Sequence, residues 1–88
     1  MAHVYILRCA DGSLYTGSAK DLCARLEVHN TGCASRYTRS RLPVELVWSR
    51  EVATWSQALS EEHRIKKLTR KEKLRLIASG AGRSDGVE

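Results

Sequence analysis

Two short strand-like runs joined by a turn open this chain, and they constrain its fold more than any other feature. From Ala2 to Arg8 the segment His3-Val4-Tyr5-Ile6-Leu7 is rich in β-branched and aromatic residues, and Asp11-Gly12 marks a turn before Leu14-Tyr15-Thr16-Gly17. This is a β-hairpin. A hairpin is at best marginally stable alone in water, so the remainder of the chain must supply what covers it. With 88 residues there is room for one core.

The rest of the chain reads as alternating helices and a strand. Ser18 or Asp21 can cap a helix running to about Thr31, where Gly32 supplies a left-handed stop. The next dozen residues, to Pro43, show no periodicity, and an irregular connection of that length in a small domain is often functional. Val44, Leu46 and Trp48 alternate with Glu45, Val47 and Ser49, which predicts a third strand with one apolar face. Thr54 with Gln57 forms a capping box for a helix from Trp55 to Lys67, and Thr69 with Glu72 repeats the device for a last helix ending near Gly80. The expected order is β-β-α-β-α-α, a small sheet covered by helices in one α/β domain over residues 1–79, with residues 80–88 a disordered tail.

Charge points to a partner. Hydrophobic residues make up 42% and charged residues 28%, as in a folded domain, and the formal charge is +5. Seven Lys and Arg lie between Arg64 and Arg75, among them Lys66, Lys67, Arg70 and Lys71, and Arg36, Arg39 and Arg41 stand around Tyr37. Two basic clusters, one holding an aromatic, suit a polyphosphate, because each cation placed at a phosphate releases counterions. The plainer reading is a solvated basic surface. No apolar run reaches the roughly 18 residues a membrane span needs, and there is no leader pattern, so a cytoplasmic protein without a membrane or obligate protein partner is expected. Cys9, Cys23 and Cys33 cannot all pair with one another and none is spaced Cys-x-x-Cys, which argues against a disulfide scaffold or a zinc ribbon.

Helical phase then selects three polar residues. At 100° per residue, Leu22, Arg25, Leu26 and His29 fall within roughly a 100° arc of the first helix. On the second helix Trp55, Ala58, Leu59 and Ile65 group together with Glu62 in their midst, while Glu61 falls toward the edge. A carboxylate inside an apolar stripe is costly unless it is paired, hydrogen-bonded or ligating a metal. The ordinary alternatives are a structural Arg25–Glu62 salt bridge, a satisfied half-buried His29, and Tyr5 and Tyr15 as sheet core.

Taken together these residues resemble a known family. His3-Val4-Tyr5, with Tyr5 ten residues before Tyr15 of Tyr15-Thr16-Gly17, is similar to the two short strands that name the GIY-YIG nuclease superfamily. The stretch LYTGSAKDLCARLEVHNTG resembles that family's second strand and first helix, with Arg25 at the catalytic arginine and His29-Asn30 at a His-Asn pair seen in many members. The segment from Ala58 to Lys67 resembles the helix bearing the metal-ligating glutamate, which falls on Glu62. The resemblance spans about residues 3 to 77 and is greatest to the small stand-alone branch. It extends to the nuclease domain of the bacterial excision-repair incision protein and of some homing endonucleases. Two departures stand out: His3-Val4 replaces Gly-Ile, and the frequent asparagine after the glutamate helix has no counterpart in LTRKEKLRLI.

The resemblance implies a three-stranded antiparallel sheet flanked by helices and a metal-dependent DNA endonuclease, with RNA left open as a substrate. It implies Tyr5 or Tyr15 as general base, with Tyr5 favoured, Arg25 on the phosphoryl oxygens, His29 beside them, and Glu62 holding one Mg²⁺ or Mn²⁺. Arg36, Tyr37, Arg39, Arg41, Lys66, Lys67, Arg70 and Lys71 are the expected nucleic-acid contacts. The competing functions are a binding module with the same fold and little turnover, and a protein-interaction domain. A shared site for both tyrosines sets the hairpin register. A two-residue loop at Asp11-Gly12 would send the two phenols to opposite faces, whereas a three-residue loop, Ala10 to Gly12, places Tyr5 opposite Gly17 and Tyr15 opposite Leu7.

Overall fold

The unbroken apolar run at the N-terminus is explained by its place in the sheet. In the computed structural model, which describes residues 1–31 and 36–79 apart from the side chains of Arg36 and Tyr37, strand β1 (Ala2–Arg8) lies between β2 (Leu14–Ala19) and β3 (Glu45–Val52). It is antiparallel to both. A central strand covered on both faces has no solvent side, so Val4, Tyr5, Ile6 and Leu7 are all buried. The helix stop expected at Gly32 and the tail expected from residue 80 lie outside the described residues.

The hairpin has the expected register. Cys9 N–H donates to the Ser13 carbonyl at 2.9 Å, enclosing the three-residue loop Ala10–Gly12, and Gly12 takes the positive φ of 86° that the tight reversal requires. The Asp11 carboxylate accepts from Ser13 N–H and Oγ at 3.0 and 2.6 Å, an Asx-type turn that fixes the loop. Tyr5 consequently pairs with Gly17 and Leu7 with Tyr15.

Strand β3 departs from the single alternating face expected of it. Ile6 pairs with Trp48 but Leu7 pairs with Leu46, so Val47 is an extra residue and the strand bulges there. An inserted residue reverses the side-chain phase. Val44 and Leu46 therefore join Tyr5, Leu7, Cys9 and Ala19 on one face, whereas Val47, Trp48 and Val52 join Ala2, Val4 and Ile6 on the other.

The two faces take different helices. Helix α1 (Leu22–Asn30), capped by Asp21 whose carboxylate accepts from Ala24 N–H, lays Leu22 and Leu26 on the first face. Helix α2 (Arg36–Arg39) is a single turn within the connection expected to be irregular. After it, past a cis Leu42–Pro43 bond, Asn30 Oδ1 accepts from Val44 N–H at 2.9 Å, tying the end of α1 to the start of β3. Helices α3 (Trp55–Lys66) and α4 (Arg70–Ser79) begin with the capping boxes expected at Thr54/Gln57 and Thr69/Glu72. Ala58, Ile65, Leu68, Leu76 and Ile77 from this pair cover the second face. No helix among the described residues is long and apolar enough to cross a membrane.

Candidate active site

Strand β2 is an edge strand, and consecutive residues on it face opposite sides of the sheet. Gly17 faces α1 and Ser18 faces α3. The candidate site is built around this edge from both sides.

On the α1 side, Tyr5 lies across Gly17. A Cβ on Gly17 would stand 2.6 Å from the Tyr5 hydroxyl and 2.7 Å from its ring carbon Cζ, so only glycine leaves room for the phenol. Tyr5 Oη and His29 Nε2 are 2.9 Å apart, and His29 Nδ1 and Thr38 Oγ1 are also 2.9 Å apart. The Tyr5 and Tyr15 rings both meet the imidazole edge to face, with centroids at 5.8 and 5.2 Å. His29 is thus the point where both tyrosines converge. It is buried, as is Thr38, while Tyr15 is half-buried.

Burial, and secondarily the Arg25 guanidinium, hold His29 below the usual imidazole pKa, so the ring is neutral. Burial, then Tyr15, push the Tyr5 phenol above its usual value; Glu62 adds to this and Arg25 opposes it. Arg25 and Glu62 are therefore both close enough to be felt at Tyr5. Arg25 itself is exposed, a correction to the buried face expected for it. Its direction lies at the margin of the α1 arc, and only Leu22, Leu26 and His29 reach the sheet. It lines a groove of about 490 Å³ with Lys20, Asp21, Val28 and Trp55.

On the α3 side, Glu62 is one-fifth exposed and accepts from Ser18 Oγ on β2, while its second oxygen meets Lys66 Nζ at 2.7 Å. The structural Arg25–Glu62 pair considered from sequence does not form among the described residues. Glu61 corrects a second expectation. Its place toward the edge of the apolar arc implied a carboxylate left in water, and it is instead half-buried, bridging Arg50 and Arg64, each at 2.6 Å. The arginine hydrogen bonds, Arg64 first, hold it below the usual carboxylate range despite burial. Trp55 and Leu59 are likewise exposed and not part of the buried stripe. The buried direction of α3 runs between Ala58 and Ile65, which puts Glu61 and Glu62 about 50° to either side of it. Glu61 turns toward β3 and Glu62 toward β2.

A hard divalent cation suits Glu62. Among the described residues no three His, Cys, Asp or Glu side chains converge, so a fully protein-built cage is not indicated. A magnesium-type ion needs only one or two carboxylates when waters and substrate phosphates complete its shell. Glu62 offers that carboxylate once Lys66 gives up the second oxygen.

Residues 1–75 match the family described as the GIY-YIG catalytic domain. The chain belongs to the GIY-YIG family. A UPF0213 protein of Staphylococcus aureus strain Mu3 is 55% identical over 74 residues, covering 84% of this chain and 90% of that relative. The solution structure of the UPF0213 protein BH0048 from Bacillus halodurans superposes with a TM-score of 0.60 at 36% identity, covering 96% of this chain and 89% of that one. The protein EF2693 from E. faecalis gives 0.59 at 37%, covering 88% and 82%. Membership places the chain in a nuclease superfamily, whose substrates are nucleic acids and whose members generally use a divalent metal.

The basic residues divide in this GIY-YIG domain. Arg39, Lys67, Arg70 and Lys71 are exposed and available to phosphates. Arg41, expected among the nucleic-acid contacts, instead donates from Nε to Asp11 at 3.0 Å, and its carbonyl accepts from Ala10 N–H. It clamps the hairpin loop. The side chains of Arg36 and Tyr37 lie outside the described residues. Gly17 was expected only as the partner of Tyr5 and Ser18 only as a possible helix cap, a place Asp21 takes, and Thr38 was not expected at the site. Thr38 carried no signal, because its role depends on α2 folding over His29, whereas Gly17 was legible as the glycine of Tyr-Thr-Gly.

Proposed function

We propose that this chain is a metal-dependent endonuclease hydrolysing DNA phosphodiester bonds in the cytoplasm, with Tyr5 and His29 acting as a proton relay. The observation that supports this best is the pair of 2.9 Å contacts linking Thr38, the neutral His29 and Tyr5. In a neutral imidazole one nitrogen donates and the other accepts. With Nδ1–H donating to Thr38 Oγ1, Nε2 accepts from the Tyr5 hydroxyl and is ready to take its proton.

The relay avoids a free phenolate. Ordinary phenol and imidazole pKa values are about 3.5 apart, about 5 kcal/mol against moving the proton in the resting site. Burial pushes Tyr5 up and His29 down, which widens that gap. Transfer is therefore concerted: as the attacking water bonds to phosphorus, its proton goes to Tyr5 Oη and the Tyr5 proton goes to His29 Nε2, while the P–O bond to the departing strand breaks. Arg25 neutralises the phosphoryl oxygens, where charge builds. Glu62 would hold one Mg²⁺ or Mn²⁺, which when bound supplies charge neutralisation at the leaving oxygen. Tyr15 packs edge to face on the imidazole and holds its orientation.

The test is cleavage of single-stranded, duplex and branched DNA with Mg²⁺ or Mn²⁺. Tyr5→Phe is expected to lower kcat about 100-fold or more, as loss of a general base does, and Tyr15→Phe to lower it less. The parent rate should fall as pH drops through the His29 pKa, which lies below the usual 6.5, because protonated His29 cannot accept. A Tyr5→Phe protein with the parental kcat overturns the relay. Salt-sensitive DNA binding without metal-stimulated cleavage by the parent supports the second reading, a binding module, which the Lys66 ammonium already seated on Glu62 favours.

A further inference from the structure

Trp55 is the first residue of α3, yet it is 38% exposed, and it shares with Arg25 the groove between α1 and α3. A large aromatic thus keeps over a third of its surface in water beside the candidate phosphate-binding arginine. The pairing of apolar surface with charge suggests a purpose. Trp55 and Val28, itself 38% exposed, give the groove an apolar surface, while Lys20 and Arg25 bring two cations to it. Asp21, the carboxylate there, is engaged in capping Ala24 N–H. A flat apolar surface with cations at hand matches one ligand chemistry, an unpaired base joined to phosphates.

Position supports the same occupant. Trp55 and Glu62 lie on the same side of α3, about 20° apart in helical phase and seven residues apart, roughly 10 Å along the axis. At about 3.4 Å per stacked nucleotide that is a span of a few nucleotides. A strand with a phosphate at Arg25 and Glu62 can thus carry a nearby base to Trp55. Lys20 Nζ now stands 5.5 Å from the Trp55 ring centroid. An exposed cation–π contact is weak against base stacking, so a base can displace the ammonium and leave it free for the adjoining phosphate.

We infer that the Trp55 groove, bounded by Lys20 and Arg25, is a stacking subsite for an unpaired nucleobase next to the scissile phosphate, selecting DNA with single-stranded character. The inference rests on the nucleic-acid reading above. A duplex keeps its bases paired and cannot fill the subsite without opening.

Intrinsic fluorescence in EDTA, where nothing is cleaved, tests it, because Trp48 is buried and Trp55 is exposed. Three probes are used: a single-stranded oligothymidylate, an abasic oligomer of equal length, and a blunt duplex. The oligothymidylate should quench the Trp55 emission, while the abasic oligomer binds more weakly without quenching and the duplex quenches little. Trp55→Ala should weaken oligothymidylate binding about ten-fold or more, and Trp55→Phe should recover most of it. Equal quenching by the abasic oligomer, or a Trp55→Ala protein that binds oligothymidylate as tightly as the parent, overturns the subsite and leaves the nuclease reading standing. A parent that binds none of the three probes and cleaves no DNA with Mg²⁺ or Mn²⁺ overturns both.

Discussion

Two adjacent carboxylates show how a single residue's role is set by helical phase. Glu61 and Glu62 are chemically the same, and 100° of rotation sends one to Arg50 on β3 and the other to Ser18 on β2. Each has its own consequence on neutralisation. In Glu62→Gln the amide oxygen can still accept from Ser18, and Lys66, half exposed, can return to water, so stability should fall by less than about 1 kcal/mol. Metal-stimulated cleavage should nevertheless fall about 100-fold, since a neutral amide is a poor ligand for a hard cation. Glu61→Gln weakens the Arg50 bridge that holds α3 to β3 and the Arg64 bridge within α3, and should lower Tm by about 4–8 °C, the effect of roughly 1 kcal/mol in a domain this size, while leaving the cleavage rate near the parent's. Melting curves and rates with and without Mg²⁺ decide this, and a folded Glu62→Gln protein with parental metal-dependent activity removes Glu62 as the ligand.

At the level of elements, the hairpin and the bulge arrange the site. The three-residue loop sets the register that brings Tyr5 and Tyr15 to one face, and the register brings Tyr5 over Gly17. The bulge at Val47 lets β3 supply Leu46 to the tyrosine face and Trp48 to the face under α3 and α4. Gly17 is where this arrangement is most sensitive. Gly17→Ala would push a methyl into the Tyr5 phenol, which is buried and bonded to His29, so the ring must shift and that bond must lengthen. A cost of about 1–3 kcal/mol is expected, as for other overpacked sites, with cleavage lost even at temperatures where the variant is folded. A Gly17→Ala protein that melts and cleaves like the parent would show that Tyr5 does not lie on Gly17 during turnover.

Across the whole molecule, the basic residues serve two purposes. Arg41 and Arg50 are engaged with Asp11 and Glu61 and belong to the fold, whereas Arg39, Lys67, Arg70 and Lys71 are exposed. Replacing those four by Ala should leave Tm nearly unchanged and flatten the salt dependence of duplex binding, by up to about 0.9 in log–log slope for each phosphate contact removed. Arg41→Ala should do the reverse, loosening the hairpin loop with little change in slope. Binding titrations across a salt series, beside melting curves, separate the two classes, and an unchanged slope in the four-fold variant would move the DNA-binding surface elsewhere.

What the sequence determined by itself was local or periodic. The hairpin with its glycine turn, the capping boxes at Thr54 and Thr69, the strand and helix order and the tyrosine register all follow from neighbours a few residues apart, where chain stereochemistry acts directly. The spacing of Tyr5, Tyr15, Arg25 and Glu62 was enough to suggest the family. What only the tertiary structure decided was which partner each group meets. Helical phase placed Glu62 on an apolar arc, but the centre of that arc shifted once Ala58 and Ile65 took the sheet, leaving Trp55 in the open and Glu61 half-buried. The alternation of β3 was overridden by one inserted residue, because the strand had to serve two opposite cores. Thr38 reaches His29 only because α2 folds across α1, and Arg41 is engaged by a carboxylate thirty positions away in sequence. Burial and pairing depend on which surfaces come together, and the interval between residues along the chain does not specify that.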